Sequence, residues 1–306
     1  MRNAFASAIT ELGETHPGLV LLAGDIGNRL FDNFKEKHPT RFYNCGVAEA
    51  NMTGVASGMA ASGLQPITYT ITPFNTVRCL EQIRLDICYP NLPVIVVGTG
   101  SGLSYAELGA THHSMEDIAI LRTLPNMHIV CPADPVEVRL AVKDALRLGR
   151  PTYIRLGKKG EPTLHETAPN FEIGRGIVMR EGTDVTILSV GNMLSTALNT
   201  FDYLQERGVS AGVVSLHTVK PLDDLLLHEL FETYRLVIVL EEHSVIGGAG
   251  SALLEWGNRN RVDLGKLICF GGPDEFLSAC GDQEEARTML GLTPRKIAND
   301  IINRLN

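Results

Sequence analysis

The sequence predicts an α/β protein made of two doubly wound domains with mostly parallel sheets. Three observations indicate this: short apolar runs alternate with segments of helical period, one polar stretch interrupts the alternation, and the chain has 306 residues. Such alternation is typical of a parallel sheet covered by helices on both faces. The length suits two domains of roughly 150 residues each. We place the first domain at 1–160, a linker at 161–172 and a smaller second domain at 173–306.

The first domain is predicted from five apolar, β-branched runs that alternate with five helical segments. Together they read as repeated βα units. The predicted strands are 19–23, 66–69, 93–97, 128–131 and 152–155, and the predicted helices are 3–13, 48–62, 75–88, 115–124 and 135–148.

The linker is predicted from a polar stretch at 158–170 that carries no apolar periodicity. A second alternating series follows it and predicts a smaller α/β layer. The last helix begins at Thr293 and Pro294, a cap followed by proline at the first helical position. The predicted strands are 185–190, 211–215, 236–240 and 266–270, and the predicted helices are 193–207, 249–259 and 293–305.

Composition argues against several classes of protein. The formal net charge is −8 and no cluster of Lys and Arg is present, so we expect no nucleic-acid partner. There is no apolar run of about 18 residues and no signal-peptide pattern, so we expect no membrane span and a cytoplasmic location. The six cysteines form no C-x-x-C pair, which favours reduced thiols over disulfides or a zinc site.

Three positions are candidates for chemistry. Glu49 opens a helix of small residues, although a first-turn carboxylate is also explained by the helix dipole alone. Phe74 follows the second predicted strand at the sheet edge where doubly wound folds bind ligands, although a core phenylalanine would look the same. His112 and His113 end a glycine-rich loop, which favours function. Adjacent histidines lack the spacing of paired zinc ligands, so we expect no metal site in this chain.

Short segments in one order along the whole chain resemble the thiamine-diphosphate superfamily. They are similar to the pyrimidine-binding and C-terminal domains of transketolase and deoxyxylulose-phosphate synthase. The segments are Arg2-Asn3-Ala4, Ala23-Gly24-Asp25-Ile26, Gly46-Val47-Ala48-Glu49, Phe74 with Glu81-Gln82-Ile83-Arg84, Gly109-Ala110-Thr111-His112, Pro132-Ala133-Asp134, Val219-Lys220-Pro221-Leu222-Asp223 and Glu241-Glu242-His243.

The resemblance implies a split enzyme. The Gly-Asp-Gly motif and asparagine with which full-length transketolases hold Mg²⁺ and the diphosphate have no counterpart in this sequence. The chain therefore resembles the β subunit, or C-terminal half, of a split transketolase. This implies an N-terminal-half α subunit that ligates Mg²⁺ or Ca²⁺ and holds the diphosphate of thiamine diphosphate, in an α2β2 heterotetramer.

The resemblance also assigns roles to residues around the cofactor. Glu49 is expected to hydrogen-bond N1′ of the aminopyrimidine, Phe74 to stack on that ring, and Asp25 to lie beside the cofactor. His112 matches the family's substrate histidine, which contacts donor hydroxyls and moves protons, and His113 is a secondary candidate. The implied reaction moves a two-carbon ketol unit from a ketose to an aldose.

The anion-binding positions depart from those of transketolases. Arg2 stands where transketolases have a phosphate-binding arginine, and Lys158 stands where they have a second such arginine. Arg29 is an additional cation. A lysine lacks the bidentate fork of arginine, so we expect a phosphorylated or otherwise anionic sugar held with altered geometry. Gly100 and Leu108 replace a phosphate-contacting histidine and the aspartate that reads the acceptor hydroxyl, so the sequence does not fix the acceptor.

Three alternatives stay open at this point. The chain could be the β subunit of a 2-oxo-acid dehydrogenase, an enzyme like deoxyxylulose-phosphate synthase, or a non-catalytic scaffold. The segment 111–117 is more similar to transketolases than to the dehydrogenases, and retention of Glu49, Phe74 and His112 argues against a scaffold.

Overall fold

Two sheets, one of seven strands and one of five, organise the chain in a computed structural model that describes residues 1–27, 29–158, 160–278 and 280–306. Helices cover both sheets, and most strand pairs are parallel. The predicted α/β fold class is confirmed. The predicted linker residues 161–172 form no helix or strand, and Lys159, in the polar stretch that predicted the linker, lies outside the described residues.

The seven-stranded sheet has the order β10-β5-β6-β4-β3-β1-β2. All of its pairings are parallel except that of β10, which runs antiparallel to β5 although it comes from the second half of the chain. The strands are β1 Leu19–Ala23, β2 Phe42–Asn44, β3 Gln65–Ile71, β4 Ile95–Thr99, β5 His128–Val130, β6 Thr152–Leu156 and β10 Thr218–Lys220.

Helices flank the first sheet. They are α1 Arg2–Thr15, α2 Asp32–Lys37, α3 Glu49–Ala61, α4 Thr72–Asn75, α5 Leu80–Gln82, α6 Asp117–Arg122 and α7 Pro135–Leu148. Asp134 caps α7, because its side chain accepts hydrogen bonds from the backbone N–H groups of Val136 and Glu137.

The helix predicted at 75–88 is wrong as a continuous element. The chain forms α4, a 3₁₀ turn at Val77–Cys79, α5 and a π-helical segment at Ile83–Cys88. The buried side chains of Asn75 and Thr76 explain the break: Asn75 Nδ2 donates to the Val97 carbonyl at 2.9 Å, and Thr76 Oγ1 donates to the Thr72 carbonyl at 2.7 Å. Such bonds compete with helical backbone pairing.

The five-stranded sheet has the order β12-β11-β8-β9-β7, with β7 antiparallel to β9. Its strands are β7 Ile177–Arg180, β8 Val185–Ser189, β9 Ala211–Ser215, β11 Leu236–Ser244 and β12 Leu267–Gly272. Its helices are α8 Leu194–Gln205, α9 Asp224–Thr233, α10 Ala249–Asn260, α11 Gln283–Met289 and α12 Pro294–Leu305. No helix within the described residues is long and apolar enough to cross a bilayer.

Strands β1, β3 and β4 lie side by side, so their carboxyl ends meet at one edge of the first sheet. Ala23 lies opposite Tyr69 in the register of β1 and β3, and Ile71 lies opposite Thr99 in that of β3 and β4. The segments that leave this edge are 24–27, 72–78 and 100–114, and Arg29 follows soon after the first of them. They contain most of the candidate residues, and ligands of doubly wound folds bind at such an edge.

Candidate cofactor and substrate site

Glu49 is the first residue of α3 and is almost completely buried, with 3% of its surface exposed. Its position favours a carboxylate, because the free N–H groups and the dipole of a helix start stabilise negative charge. A Cβ on Gly24 would lie 3.3 Å from Glu49 Cγ and 3.1 Å from Thr70 Cβ. Glycine at that position therefore lets the backbone that follows β1 lie close to Glu49.

Arg78 is a functional candidate that the sequence analysis missed. Its Nη1 donates to Glu49 Oε1 at 2.9 Å, and its guanidinium lies 4.2 Å from the centroid of the Phe74 ring. The Arg78 side chain is 46% exposed. Within the described residues, this is the one hydrogen bond that the Glu49 carboxylate accepts. The available signal was a cation four residues after Phe74, just beyond the end of β3.

Aromatic contacts continue from Phe74 to the histidine loop. The His112 ring packs edge-on against Phe74 with a centroid distance of 5.3 Å, and Tyr105 lies 5.9 Å from the other side of His112. Tyr105 was also missed. Its ring is in turn covered by Lys158, whose Nζ lies 4.3 Å from the ring centroid.

Lys158 is not a free cation in this structure. Its Nζ donates to Glu107 Oε1 at 2.6 Å, and both side chains are partly exposed. The structure thus connects Glu49, Phe74, His112 and Lys158 by continuous contact through Arg78 and Tyr105. We call these six residues the edge cluster.

The surroundings of His112 favour its neutral form over its charged form. Burial lowers the pKa of His112, the neighbouring His113 lowers it further, and Glu107 partly opposes the change. Its Nδ1 lies 2.9 Å from Thr111 Oγ1, which fixes the ring plane. A neutral imidazole can accept a hydrogen bond or a proton from a hydroxyl.

His113 points away from the edge cluster. It is buried, its Nε2 lies 3.2 Å from the Ala106 carbonyl oxygen, and it lines a separate cavity of about 320 Å³. Glu116 and Phe276 line the same cavity, between the two halves of the chain. The structure therefore does not bring the two adjacent histidines together in one site.

Asp25 lies at the correct edge and is tied to the turn before Glu49. Its Oδ1 accepts from Asn44 Nδ2 at 3.0 Å, while Asn44 Oδ1 accepts from the backbone N–H groups of Asp25 and Gly46 at 3.2 and 3.0 Å. The side chain is exposed. Asp25 has a φ of 55°, a left-handed conformation that aspartate tolerates better than most residues.

Arg2 and Arg29 lie apart from the edge cluster in the contacts of the described residues. Arg2 is half-buried, and its buried Nε has no hydrogen-bond partner within the part of the chain that the structure describes. Arg29 is exposed and lines a cavity of about 610 Å³ with residues of α1 and α2, among them Glu11 and Lys37. Arg29 and Lys158 therefore have different neighbours and do not lie in one site.

Exposed apolar side chains occur on the helix that Glu49 opens and on the segment that packs against it. Val47 is 74% exposed and Tyr89 is 85% exposed, and Val55, Val77 and Leu85 are also exposed. Val47 precedes α3, Val55 lies on α3, and the other three lie in the adjoining 77–89 segment, which is joined to α3 by a hydrogen bond from Ser57 Oγ to the Asp86 carbonyl. We call these five apolar residues the α3 surface.

The described residues form no metal centre of their own. No group of three or more His, Cys, Asp and Glu side chains among them is arranged to hold a metal ion. All six cysteines are free, and Cys79, Cys88 and Cys131 are buried.

Both halves of the chain match domains of one enzyme family. Residues 1–161 match the pyrimidine-binding domain of transketolase, and residues 174–297 match the transketolase C-terminal domain. The chain belongs to the transketolase family.

Relatives of similar length are separate subunits. The chain is 33% identical to one subunit of the apulose-4-phosphate transketolase of Phocaeicola vulgatus, over 90% of this chain and 88% of that one. It is 34% identical to a 6-deoxy-6-sulfo-D-fructose transketolase subunit of a Clostridium species, over 100% and 95%.

A solved structure described as a split gene transketolase, inactive beta4 tetramer, has a TM-score of 0.88 and 36% identity, with 99% of this chain and 97% of that chain covered. These likenesses confirm the predicted resemblance to the C-terminal half of a split transketolase.

Proposed function

We propose that this chain is the small subunit of a thiamine-diphosphate-dependent split transketolase. It would transfer a two-carbon ketol unit from an anionic ketose to an aldose acceptor. The observation that carries the proposal is the edge cluster, in which a buried helix-start carboxylate, an aromatic ring and a neutral histidine adjoin one another at the ligand-binding edge of the sheet.

The residues present fit the aminopyrimidine end of thiamine diphosphate. Glu49 is buried and retains an acceptor oxygen beyond the one bonded to Arg78, and Phe74 offers a flat face beside it. A carboxylate in such a place forms a strong hydrogen bond to a ring nitrogen because water is excluded. Arg78 covers Phe74, so stacking there requires this half-exposed side chain to move.

Proton positioning is the chemistry that this chain would supply. When bound, thiamine diphosphate provides the electron sink for carbon–carbon bond cleavage and formation. Glu49 would hold a proton at the pyrimidine nitrogen N1′. His112, kept neutral by its surroundings, would accept a proton from a hydroxyl of the donor sugar and orient that sugar.

Anion binding would fall to Lys158 and Arg2. Lys158 lies at the far end of the edge cluster from Glu49, which suits an anion carried at the end of a sugar chain. Arg2 would be a second cation that acts on the anion from outside the edge cluster, because its Nε is buried in this structure. Arg29 lies in another cavity and would act at most from a distance.

A partner chain is supported by the α3 surface. Exposed apolar residues grouped on adjoining elements are typical of an interaction surface. The relatives described as a transketolase subunit and as a split gene transketolase are also separate chains. We propose that an N-terminal-half α subunit docks there, ligates Mg²⁺ or Ca²⁺, and completes an α2β2 heterotetramer.

The direct test is reconstitution. The chain is purified alone and together with a co-expressed N-terminal-half transketolase chain, and two-carbon transfer is measured with a panel of sugar phosphates and other anionic sugars. We expect transfer by the complex and none by the lone chain. Decarboxylation of pyruvate with reduction of an artificial acceptor, without ketol transfer, would instead identify a 2-oxo-acid dehydrogenase subunit.

A further inference from the structure

Glu242 reaches from the second half of the chain into the loop that carries the candidate histidine. The residue is fully buried, near the end of β11. Its Oε1 accepts from the backbone N–H of Leu103 at 2.8 Å and from Gln283 Nε2 at 2.8 Å, and its Oε2 accepts from Arg287 Nε. One carboxylate therefore joins β11, α11 and the 101–114 loop.

The loop backbone lies directly against this carboxylate. A Cβ on Gly102 would lie 2.3 Å from Glu242 Oε1, and Gly102 has a φ of +61°, so glycine is required there. Gly102 and Ser114 exchange two backbone hydrogen bonds, of 3.1 and 2.9 Å, which close the base of the loop. Tyr105 and His112 both lie on the loop closed in this way.

Other contacts around Glu242 support the loop. Arg155 donates to the carbonyl oxygens of Ser114 and Glu242, each at 3.0 Å. The backbone N–H of Ser244 donates to the Met115 carbonyl at 2.7 Å. Among the described residues of the second domain, however, Glu242 is the one acidic side chain that accepts a hydrogen bond from the loop backbone.

We propose that Glu242 is the positioning residue of the 101–114 loop and sets the place of His112 in the edge cluster. The inference rests on the proposed function to the extent that His112 contacts substrate. Without the charge of Glu242, the bond from the buried N–H of Leu103 is weakened, and Arg287 is left with the exposed Glu284 as its counter-charge. Displacing a substrate-orienting group by about 1 Å costs on the order of a hundredfold in rate.

Glu241 provides a matched control. It is as deeply buried as Glu242 and adjoins it in sequence. Its carboxylate accepts from the backbone N–H groups of Ala249 and Gly250 at 2.8 and 3.0 Å, at the start of α10 in its own domain. The two glutamates thus differ in which segment they hold.

The first measurement uses the full chain without a partner. Hydrogen exchange of the loop amides and an NMR titration of His112 are compared for the wild type, Glu242→Gln and Glu241→Gln. We expect Glu242→Gln to speed exchange at Leu103 and its neighbours about tenfold, as loss of a charge-assisted bond implies. The pKa of His112 should return toward its ordinary value of 6.5 as the ring is released. Glu241→Gln should change the start of α10 and leave the loop as it is.

The second measurement uses the reconstituted complex. Glu242→Gln should lower kcat/KM for ketol transfer about tenfold to a hundredfold, mainly through KM, while Glu241→Gln stays near the wild type. If the wild-type complex itself shows no ketol transfer, the proposed function fails, but the exchange and titration results still decide the role of Glu242.

A milder variant covers the case in which Glu242→Gln does not fold. Gln283→Ala removes two hydrogen bonds to the Glu242 carboxylate, at 2.8 and 3.0 Å, together with a longer one of 3.4 Å to Ser104 Oγ in the loop, and leaves the ion pair with Arg287 intact. We expect a smaller change of the loop in the same direction, about threefold in exchange. Loop exchange and a His112 pKa equal to those of the wild type in the folded variant would overturn the proposal.

Discussion

Two buried carboxylates, Glu49 and Glu242, are partnered very differently. Glu242 is enclosed by a backbone N–H, a glutamine and an arginine that is itself buried. Glu49 has one hydrogen bond within the described residues, from an arginine that is 46% exposed. The first arrangement has its hydrogen bonds satisfied by the protein, whereas the second leaves room for a ligand.

The comparison extends to a second buried ion pair, within the first domain. Asp117 and Arg155 are both buried, and Tyr153 also donates to Asp117. Arg155 also donates to the Glu242 carbonyl of the second domain at 3.0 Å, so the enclosed pair holds a contact between the domains, whereas the Arg78–Glu49 pair lies partly exposed to solvent. The charges of Glu242 and Asp117 therefore stabilise the structure, whereas the charge of Glu49 remains available to bind a ligand.

The largest expected effect is the loss of activity in Glu49→Ala. Removal of the carboxylate should reduce ketol transfer by the reconstituted complex about 10²- to 10⁴-fold, the usual range for proton-transfer groups. The free energy of unfolding should change little, because the half-exposed Arg78 can be solvated by water. Steady-state kinetics and urea denaturation measure the two effects.

Asp32→Ala is a suitable control for Glu49→Ala, since Asp32 is the first residue of α2 and its side chain is 60% exposed. Near-normal turnover by Glu49→Ala would show that Glu49 takes no part in the reaction. The functional contrast between Glu49 and Glu242 would then be wrong.

Arg155→Met tests the structural side of the comparison. It leaves Asp117 buried without its ion pair, so we expect a loss of about 3–5 kcal/mol in the free energy of unfolding. Lys296→Met breaks the exposed pair with Asp300 and should cost less than about 1 kcal/mol. Equal effects in urea denaturation would contradict the structural role of the enclosed pair.

Lys158→Ala tests the anion-binding end of the edge cluster. We expect KM for anionic sugars to rise about tenfold with a smaller change in kcat, because a charge-assisted contact is lost. Glu107→Gln should lower KM, since it frees Lys158 from its present partner. Unchanged KM values in both variants would remove Lys158 from the site.

The smallest expected effect is a pH-dependent contribution of His165 to stability. The hydrogen bond to Glu137, at 2.9 Å, raises the pKa of His165 above 6.5. A raised pKa means that this stabilisation is complete below about pH 6.5 and is lost as pH rises through the folded-state pKa. The unfolding free energy of the wild type minus that of His165→Gln should therefore shrink with rising pH. A difference independent of pH would contradict it.

Much of the fold follows from local pattern. Buried strands such as β1, β4 and β8 are continuous apolar runs, so the sequence predicts them directly. The strands β2 and β10 are only three residues long and carry no such run, so they were missed. The pairing of β10 with the first sheet depends on tertiary contacts that no local pattern encodes.

The site was predictable in part for similar reasons. Glu49, Phe74 and His112 belong to motifs with a family resemblance, and the structure places them in continuous contact. Arg78 and Tyr105 stand outside those motifs; Arg78 had only its position four residues after Phe74 as a signal, and Tyr105 is recognisable only from the side chains it touches. His113 was a candidate because it adjoins His112 in sequence, but its side chain lies in a separate cavity.

The most direct test is a calorimetric titration with thiamine diphosphate and Mg²⁺. We predict no sub-micromolar binding by the purified chain alone, tight binding once the N-terminal-half subunit is added, and weaker binding when that complex carries Glu49→Gln. Sub-micromolar binding by the lone chain would contradict the claim that the edge cluster is one half of a site completed by another subunit.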